Sequence, residues 1–229
     1  MSKVTAIVLA AGTGSRMQSK QKKQFMEVKG KPILWYSLFQ FEQSPVDEVI
    51  LVTGEEDIPY CKKEIVERYG FTKVKEVIAG GKERYHSVYN GLQKTTGDYV
   101  LIHDGARPMI TEKIIEDAIH GAEQHKACVI GVPVKDTIKQ VSEGKVICTP
   151  DRNSLWITQT PQGFETDLVK QAYEEMMQED QIAVTDDAMV VEQYGGQSVY
   201  FVEGDYKNMK VTTPEDILLA EVFLGLRIK

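Results

Sequence analysis

Short apolar runs alternate with longer amphipathic stretches along the chain. Five runs rich in β-branched residues are almost wholly apolar, and they cover residues 4–9, 48–52, 74–78, 99–103 and 128–132. Continuous apolar runs of this length are typical of strands that are buried on both faces, as in a parallel sheet covered by helices. The sequence therefore predicts a sheet at the centre of the molecule.

The stretches between and after these runs have helical periodicity. Apolar residues recur at helical spacing from Pro32, which can occupy a first helical turn. Further helices are predicted over residues 84–94, 112–125, 167–178, 186–194 and 214–224, and a further strand over residues 198–203. This alternation predicts an α/β fold with an open, doubly wound, mostly parallel, Rossmann-like sheet in a single domain over residues 1–229. Ligands are then expected beyond the carboxyl ends of the strands.

The segment 134–157 interrupts this alternation. Two strand-like pieces, 137–141 and 145–148, flank a turn of three residues, 142–144, that contains Gly144, which is a hairpin signal. A two-stranded hairpin has little of its own to pack against, and a second subunit can supply the missing surface. We therefore predict an inserted β-hairpin that acts as a dimerisation arm.

Composition excludes several classes of protein. Of the 229 residues, 42% are hydrophobic and 27% are charged, which is typical of a folded globular protein, and the net charge is -7. An acidic surface disfavours binding to nucleic acid and favours a small ligand in a locally basic pocket. No segment approaches the length of a membrane span. The three distant cysteines form no disulfide framework, which favours the cytoplasm, and the four histidines lack metal-site spacing, so no protein metal site is predicted.

The loop that follows the first predicted strand carries the strongest chemical signal. It consists of small residues and glycines, namely Ala10, Ala11, Gly12, Thr13 and Gly14, and the cations Arg16 and Lys23 follow. Small residues let backbone N–H groups approach a polyphosphate, and nearby cations complete its binding. A tight turn with surface cations is the structural alternative, but the combination favours phosphate binding. Met17 replaces the third glycine of a dinucleotide fingerprint, which disfavours a dehydrogenase.

This loop is similar to that of the nucleotidyltransferases that activate sugars, in the form found in cytidylyltransferases. Later motifs match in order along essentially the whole chain: GGKERYHSV at 80–88, HDGARP at 103–108, VKDTIK at 134–139, Arg152 with LW at 155–156, QTPQ at 159–162, TDDA at 185–188 and NMKVT at 208–212. Together they resemble the 2-C-methyl-D-erythritol 4-phosphate cytidylyltransferases of non-mevalonate isoprenoid synthesis.

The resemblance implies transfer of CMP from CTP to a polyol phosphate, with Mg²⁺ bound mainly through the CTP phosphates. It gives catalytic roles to Arg16, Lys23 and Lys210. It assigns nucleotide binding to Ala10, Ala11, Gly12, Gly14, Gly81, Ser87 and Asp104, and acceptor binding to Asp104, Arg107, Thr137, Arg152 and Thr160. By the same resemblance, Thr137 and Arg152 lie on the arm and complete the site of the neighbouring subunit in a homodimer. A phosphate nucleophile with a second pKa of about 6 needs no general base, which fits the lack of a histidine-centred motif.

Two positions depart from the family pattern. Lys22 stands where the family usually has proline, which leaves open which of Lys20, Lys22 and Lys23 reaches the phosphates, although alignment favours Lys23. Lys82 stands where an acidic or polar residue is common, so it is left out of the predicted site. The run 185–187 is interpreted as a structural helix cap.

Several other functions remain as alternatives. A ribitol-5-phosphate cytidylyltransferase would share fold, loop and chemistry, but those relatives often lack the intact runs at 134–139 and 185–188. Another sugar-nucleotide pyrophosphorylase is disfavoured by the 80–87 segment. A nucleotide-binding protein without catalysis should have lost one of Arg16, Lys23 or Lys210, and all three are present.

Overall fold

The computed structural model describes residues 2–12, 22–179 and 181–227. The strands in this part of the chain are β1 (Val4–Ala10), β2 (Glu27–Val28), β3 (Lys31–Pro32), β4 (Glu48–Thr53), β5 (Val74–Ala79), β6 (Tyr99–Asp104), β7 (Ala127–Pro133), β8 (Gln140–Ser142), β9 (Lys145–Cys148), β10 (Trp156–Glu165) and β11 (Tyr200–Glu203). The helices are α1 (Ile33–Gln43), α2 (Ile58–Tyr60, continued by the π-helical Cys61–Glu67), α3 (Arg84–Leu92), α4 (Glu112–His125), α5 (Thr166–Met176), α6 (Asp187–Tyr194) and α7 (Pro214–Arg227).

A central sheet contains seven of the described strands, in the order β11-β7-β10-β6-β1-β4-β5. β1 pairs in parallel with β4 and β6, β4 with β5, and β7 with β11, whereas β10 runs antiparallel to β6 and β7. The mostly parallel sheet predicted from the apolar runs is therefore confirmed. The single-domain organisation over 1–229 stays a prediction.

Strand β10 was not predicted, because its middle is polar and contains a proline. The pairing of β10 with β7 shifts register between Thr158 and Gln162, and the peptide bond between Thr160 and Pro161 is cis. A proline inside a sheet is tolerated at such an irregularity, where no ladder hydrogen bond is needed from its nitrogen. The irregular part of β10, between Thr158 and Gln162, contributes residues to the candidate active site.

Helices cover both faces of the sheet, as the doubly wound prediction requires. Alternate residues of β1 face opposite sides, so Ala6 and Val8 pack with α1, α2 and α4, while Ile7 packs with α3, α5 and α6. Pro32 precedes α1 as its N-cap residue with ψ 145°, so the first helix begins one residue later than predicted. Helix α2 was not predicted. No described helix is both long and apolar enough to cross a membrane.

The predicted hairpin is present, although its first strand and its turn are both shorter than predicted. Ser142 pairs directly with Lys145, and the two residues between them have positive φ, 50° for Glu143 and 76° for Gly144. Positive φ at both central residues is the geometry of a tight two-residue hairpin turn. Its side chains Val141, Val146 and Ile147 are more than half exposed, at 54%, 59% and 60%. The hairpin thus presents apolar surface that the described residues leave uncovered.

Candidate active site

A cavity of about 280 Å³ opens at the carboxyl ends of β1 and β6. Most of the predicted nucleotide-binding and catalytic residues line it: Ala10, Ala11, Gly12, Lys23, Gly81, Ser87, Asp104 and Lys210. Lys82, which sequence analysis left out, also lines it. Gly14, Arg16 and Lys20 lie outside the described residues, so their roles stay predictions.

Close packing at Gly80 brings three elements together at this cavity. A Cβ atom at this position would lie 2.6 Å from the Ala11 Cβ and 2.6 Å from the Ser87 Oγ, so only glycine fits. The Ser87 hydroxyl accepts a hydrogen bond from the Gly81 N–H at 3.1 Å and donates one to the Glu83 carbonyl at 3.3 Å. Ser87 therefore stabilises the glycine turn, and its contact with a base stays a prediction.

Gln24 fixes the beginning of the glycine loop. Its buried amide donates hydrogen bonds to the carbonyl oxygens of Ala10 at 2.6 Å and Gly12 at 3.2 Å. These two carbonyls flank Ala11, so one side chain determines the course of the backbone there. Gln24 has no role among the residues predicted from the sequence.

The ammonium groups of Lys23 and Lys22 lie in different surroundings. The Lys23 ammonium lies at the first cavity and donates a hydrogen bond to the Val211 carbonyl at 3.0 Å. The Lys22 ammonium instead contacts Glu56 at 2.5 Å and Asp57 at 2.6 Å, and it does not line the cavity. Of these two lysines, Lys23 is therefore placed to reach a ligand in the cavity.

A second cavity of about 300 Å³ adjoins the first and shares Arg84, Asp104 and Lys210 with it. Three of the predicted acceptor-binding residues line it: Asp104, Arg107 and Thr160. Lys210 therefore lies at the border of both cavities, where a group transferred between two ligands would pass.

Asp104 is surrounded by three cations. One of its oxygens lies 2.8 Å from the Lys210 Nζ and 3.8 Å from the Arg107 Nε, and the other lies 3.4 Å from the Arg84 Nε. Burial alone would raise the pKa of this carboxyl, but Arg84, Lys210 and Arg107 hold it well below its usual range. Asp104 is therefore ionised at neutral pH and holds Lys210 in place.

Arg84 belongs to a buried ion pair that sequence analysis did not find. Its guanidinium binds both carboxylate oxygens of the fully buried Asp187, at 2.8 and 2.7 Å, and the Tyr173 hydroxyl donates to Asp187 at 2.6 Å. Burial would lower the pKa of Arg84, but Asp187 and Asp104 raise it well above its ordinary value. Arg84 thus remains charged and links Asp187 to the Asp104 carboxylate at the cavities. Its position directly after the glycine turn was the signal available in the sequence.

Thr160 is held against Asp104 by a buried network. The Thr160 hydroxyl accepts a hydrogen bond from the Asp104 N–H and lies 3.1 Å from the His103 Nδ1. The Asn208 side-chain amide donates to the Thr160 backbone carbonyl at 2.9 Å, while the Asn208 backbone carbonyl accepts from the Arg107 guanidinium at 2.8 Å. Burial lowers the pKa of His103 to about 3, so its ring is neutral at neutral pH. The network fixes the irregular part of β10 beside the second cavity.

The remaining predicted residues have local roles of their own. Asp186 caps α6 by accepting from the Met189 N–H at 2.9 Å, which confirms the structural interpretation of that residue. Asp186 and Thr185 also line the second cavity.

The two predicted arm residues, Thr137 and Arg152, are exposed and line neither of these two cavities. Arg152 donates a hydrogen bond to the Lys135 carbonyl at 3.0 Å. Their predicted action on a neighbouring subunit stays a prediction.

Comparison with solved structures shows the same architecture elsewhere. The crystal structure of 4-diphosphocytidyl-2C-methyl-D-erythritol synthase from Anaerococcus prevotii superposes with a TM-score of 0.86 and 32% identity, covering 98% of this chain and 96% of that one. The 2-C-methyl-D-erythritol 4-phosphate cytidylyltransferase of Francisella tularensis superposes with a TM-score of 0.81 and 28% identity, covering 97% and 100%.

Comparison of sequences extends the likeness over almost the whole chain. The family model described as 2-C-methyl-D-erythritol 4-phosphate cytidylyltransferase matches residues 4–226. Relatives with that name are 50% identical in Lachnoclostridium phytofermentans, over 98% of this chain and 97% of the relative, and 47% identical in Geotalea uraniireducens, over 97% of each. The chain therefore belongs to the 2-C-methyl-D-erythritol 4-phosphate cytidylyltransferase family.

Proposed function

We propose that the two adjoining cavities hold the two substrates of one cytidylyl transfer, CTP in the first and the acceptor phosphate in the second. The enzyme is a nucleotidyltransferase that converts CTP and 2-C-methyl-D-erythritol 4-phosphate into the CDP-linked product and pyrophosphate, in non-mevalonate isoprenoid synthesis. The family match favours this acceptor over ribitol 5-phosphate. The observation that carries the division into two subsites is the sharing of Lys210 and Asp104 by both cavities.

The reaction joins two anions. A phosphate oxygen of the acceptor forms a bond to the α-phosphorus of CTP, the bond from that phosphorus to the bridging oxygen breaks, and pyrophosphate leaves with the electron pair. The attacking phosphate is largely a dianion at neutral pH and gives up no proton to an enzyme base. Catalysis then consists of positioning and of stabilising negative charge at the α-phosphate.

The cations of the site are suited to that task. Lys23 lies at the glycine loop, where the triphosphate is proposed to bind, and Lys210 lies at the border, where the α-phosphate and the acceptor phosphate meet. Arg16 is proposed to act with them, and Arg107 is proposed to bind the acceptor phosphate in the second cavity. Asp104 then orients Lys210 and accepts hydrogen bonds from acceptor hydroxyls.

Mg²⁺ is proposed to bind mainly through the phosphates of CTP. Among the described residues, no group of three or more histidine, cysteine or acidic side chains is arranged to hold a metal ion. Both oxygens of Asp104 are paired with cations, one with Lys210 and the other with Arg84, which disfavours their use as metal ligands. When bound, Mg²⁺ would neutralise phosphate charge and orient the triphosphate.

Pyrophosphate release tests the proposed reaction. The purified chain with CTP and Mg²⁺ should release pyrophosphate only when 2-C-methyl-D-erythritol 4-phosphate is added, because the acceptor phosphate is the nucleophile. Release that does not depend on the acceptor would instead indicate hydrolysis of CTP.

The arm is proposed to make a homodimer in which Thr137 and Arg152 complete the neighbouring site. Its exposed apolar residues, together with Tyr200 and Phe201 on the edge strand β11, offer a surface for a second copy. Light scattering should therefore give twice the mass of the chain.

Replacing Arg152 with alanine should raise the KM for the acceptor at least about 10-fold, with little change in the KM for CTP, because a charged hydrogen bond contributes about 1.5–3 kcal/mol. A fully active monomer would contradict the shared site.

The chain is proposed to act in the cytoplasm without nucleic acid or membrane partners. Cys61 and Cys128 are buried, Cys148 is exposed, and none of the three forms a disulfide. Unpaired cysteines fit a reducing compartment.

A further inference from the structure

Lys22 anchors the segment that carries Lys23 to the end of a neighbouring strand. Its ammonium lies between two carboxylates, 2.5 Å from the Glu56 Oε1 and 2.6 Å from the Asp57 Oδ2. Both carboxylates lie just beyond β4, whose residue Thr53 pairs in register with Ala10 at the end of β1. The three side chains, called the Lys22 clamp below, therefore connect the chain after the glycine loop to the strand beside that loop.

The clamp closes directly over the backbone of Gly54. A Cβ atom at this position would lie 2.7 Å from the Asp57 Oδ2 and 3.1 Å from the Lys22 Nζ. These atoms are the ends of flexible side chains, so a larger residue at this position would displace them by a small shift, and glycine lets them lie directly on the backbone. The clamp therefore lies against the backbone of the turn after β4.

Asp57 is the stronger of the two carboxylate partners. The side chains of Lys22 and Asp57 are 24% and 17% exposed, whereas that of Glu56 is 72% exposed and its interaction is screened by water. Burial would lower the pKa of Lys22, but Asp57 and Glu56 raise it above its usual value, so the Lys22 ammonium is charged at neutral pH.

The clamp acts on the backbone from which Lys23 enters the first cavity. Lys22 has φ −62° and ψ 134° and immediately precedes the short 3-10 helix Lys23–Phe25. The Lys23 ammonium in turn reaches the Val211 carbonyl, next to Lys210. A small shift at Lys22 would therefore move one catalytic cation relative to the other.

We propose that Lys22 is a positioning residue, whose ion pair with Asp57 and Glu56 sets the place of Lys23 without touching either substrate. The inference rests on the proposed role of Lys23 at the CTP phosphates. Because misplacement of a catalytic group by about 1 Å can cost about 10²-fold in rate, a partial loosening should cost about 10-fold.

The first test removes the charges of the clamp. Lys22→Met and Asp57→Asn should each lower kcat about 10-fold, with the KM for the acceptor and the thermal midpoint close to wild type. The double variant should be no slower than Lys22→Met alone, because both changes break the same interaction. Lys63→Met, at an exposed lysine of α2, is the matched control and should keep the wild-type kcat. An unchanged kcat for Lys22→Met, or an added loss in the double variant, would overturn the proposal.

The second test replaces the clamp by a stiffer backbone. The φ of −62° is close to the value of about −65° that proline imposes, so Lys22→Pro should hold the backbone without the ion pair. Lys22→Pro should have a kcat near wild type, and adding Asp57→Asn to it should have no effect. A proline variant as slow as Lys22→Met would contradict the positioning role.

Lys23→Ala separates the failure of this inference from the failure of the proposed function. If Lys23→Ala keeps full activity, the proposed role of Lys23 is wrong. If Lys23→Ala is nearly inactive while Lys22→Met equals wild type, the cationic site stands and the clamp has no catalytic consequence.

Discussion

Lys210→Ala is expected to lower kcat by about 10²–10³-fold, and Lys23→Ala is expected to cause a similar loss. Removal of one preorganised group that stabilises developing charge has effects of this size, and these two ammonium groups line the cavity proposed for CTP. Lys210 also lines the cavity proposed for the acceptor, so its removal affects both ligands. Initial rates of pyrophosphate release at saturating CTP and acceptor measure the change.

The fold should survive both substitutions. Without Lys210, Asp104 keeps Arg84 and Arg107 as neighbours, so no carboxylate is left buried without a cation. Thermal unfolding should therefore remain near wild type, which distinguishes a catalytic loss from misfolding. Lys63→Ala, on the exposed face of α2, serves as the matched control. Near-normal turnover in both cavity variants would show that the cations do not stabilise the transferring phosphate.

Arg84→Met is expected to lower the free energy of unfolding by about 3 kcal/mol. Asp187 has no exposed side-chain surface, and this change removes the guanidinium that binds both of its oxygens. Breaking a buried ion pair from one side costs about 3–5 kcal/mol, because it leaves a buried charge without its partner. The lower end applies here, since the Tyr173 hydroxyl still donates to Asp187. Urea unfolding followed by circular dichroism measures the loss.

A double variant tests whether the unpaired Asp187 carboxylate causes that loss of stability. Arg84→Met combined with Asp187→Asn should be more stable than Arg84→Met alone, because the neutral amide carries no buried charge. Lys82→Met, at an exposed neighbouring position, should change stability by less than about 0.5 kcal/mol. Equal stability of Arg84→Met and wild type would mean that the pair contributes nothing to folding.

The parallel strands could be predicted from the sequence because burial on both faces makes them continuously apolar. The five predicted runs correspond to β1, β4, β5, β6 and β7. Strand β10 could not be found in this way, because its middle, at residues 159–162, is polar and carries functional side chains beside the second cavity. This strand forms because its backbone pairs with β6 and β7, while its side chains serve the site, so its sequence has no strand periodicity from which to predict it.

The site was predictable only in part for a similar reason. The motifs pointed to residues such as Lys23, Asp104 and Lys210, which the structure brings together at one end of the sheet. The pairing of Arg84 with Asp187 joins positions 103 residues apart and leaves no local pattern. Lys22 likewise appeared in the sequence only as a departure from the family, whereas its partners Glu56 and Asp57 come from the turn after β4.

The proposed reaction depends most directly on which acceptor binds in the second cavity. The decisive measurement is the rate of pyrophosphate release with CTP and Mg²⁺, with 2-C-methyl-D-erythritol 4-phosphate and ribitol 5-phosphate compared at matched concentrations. We predict a strong preference for 2-C-methyl-D-erythritol 4-phosphate, with a product that contains the new diphosphate linkage. A preference for ribitol 5-phosphate, or no release with either acceptor, would contradict the assignment.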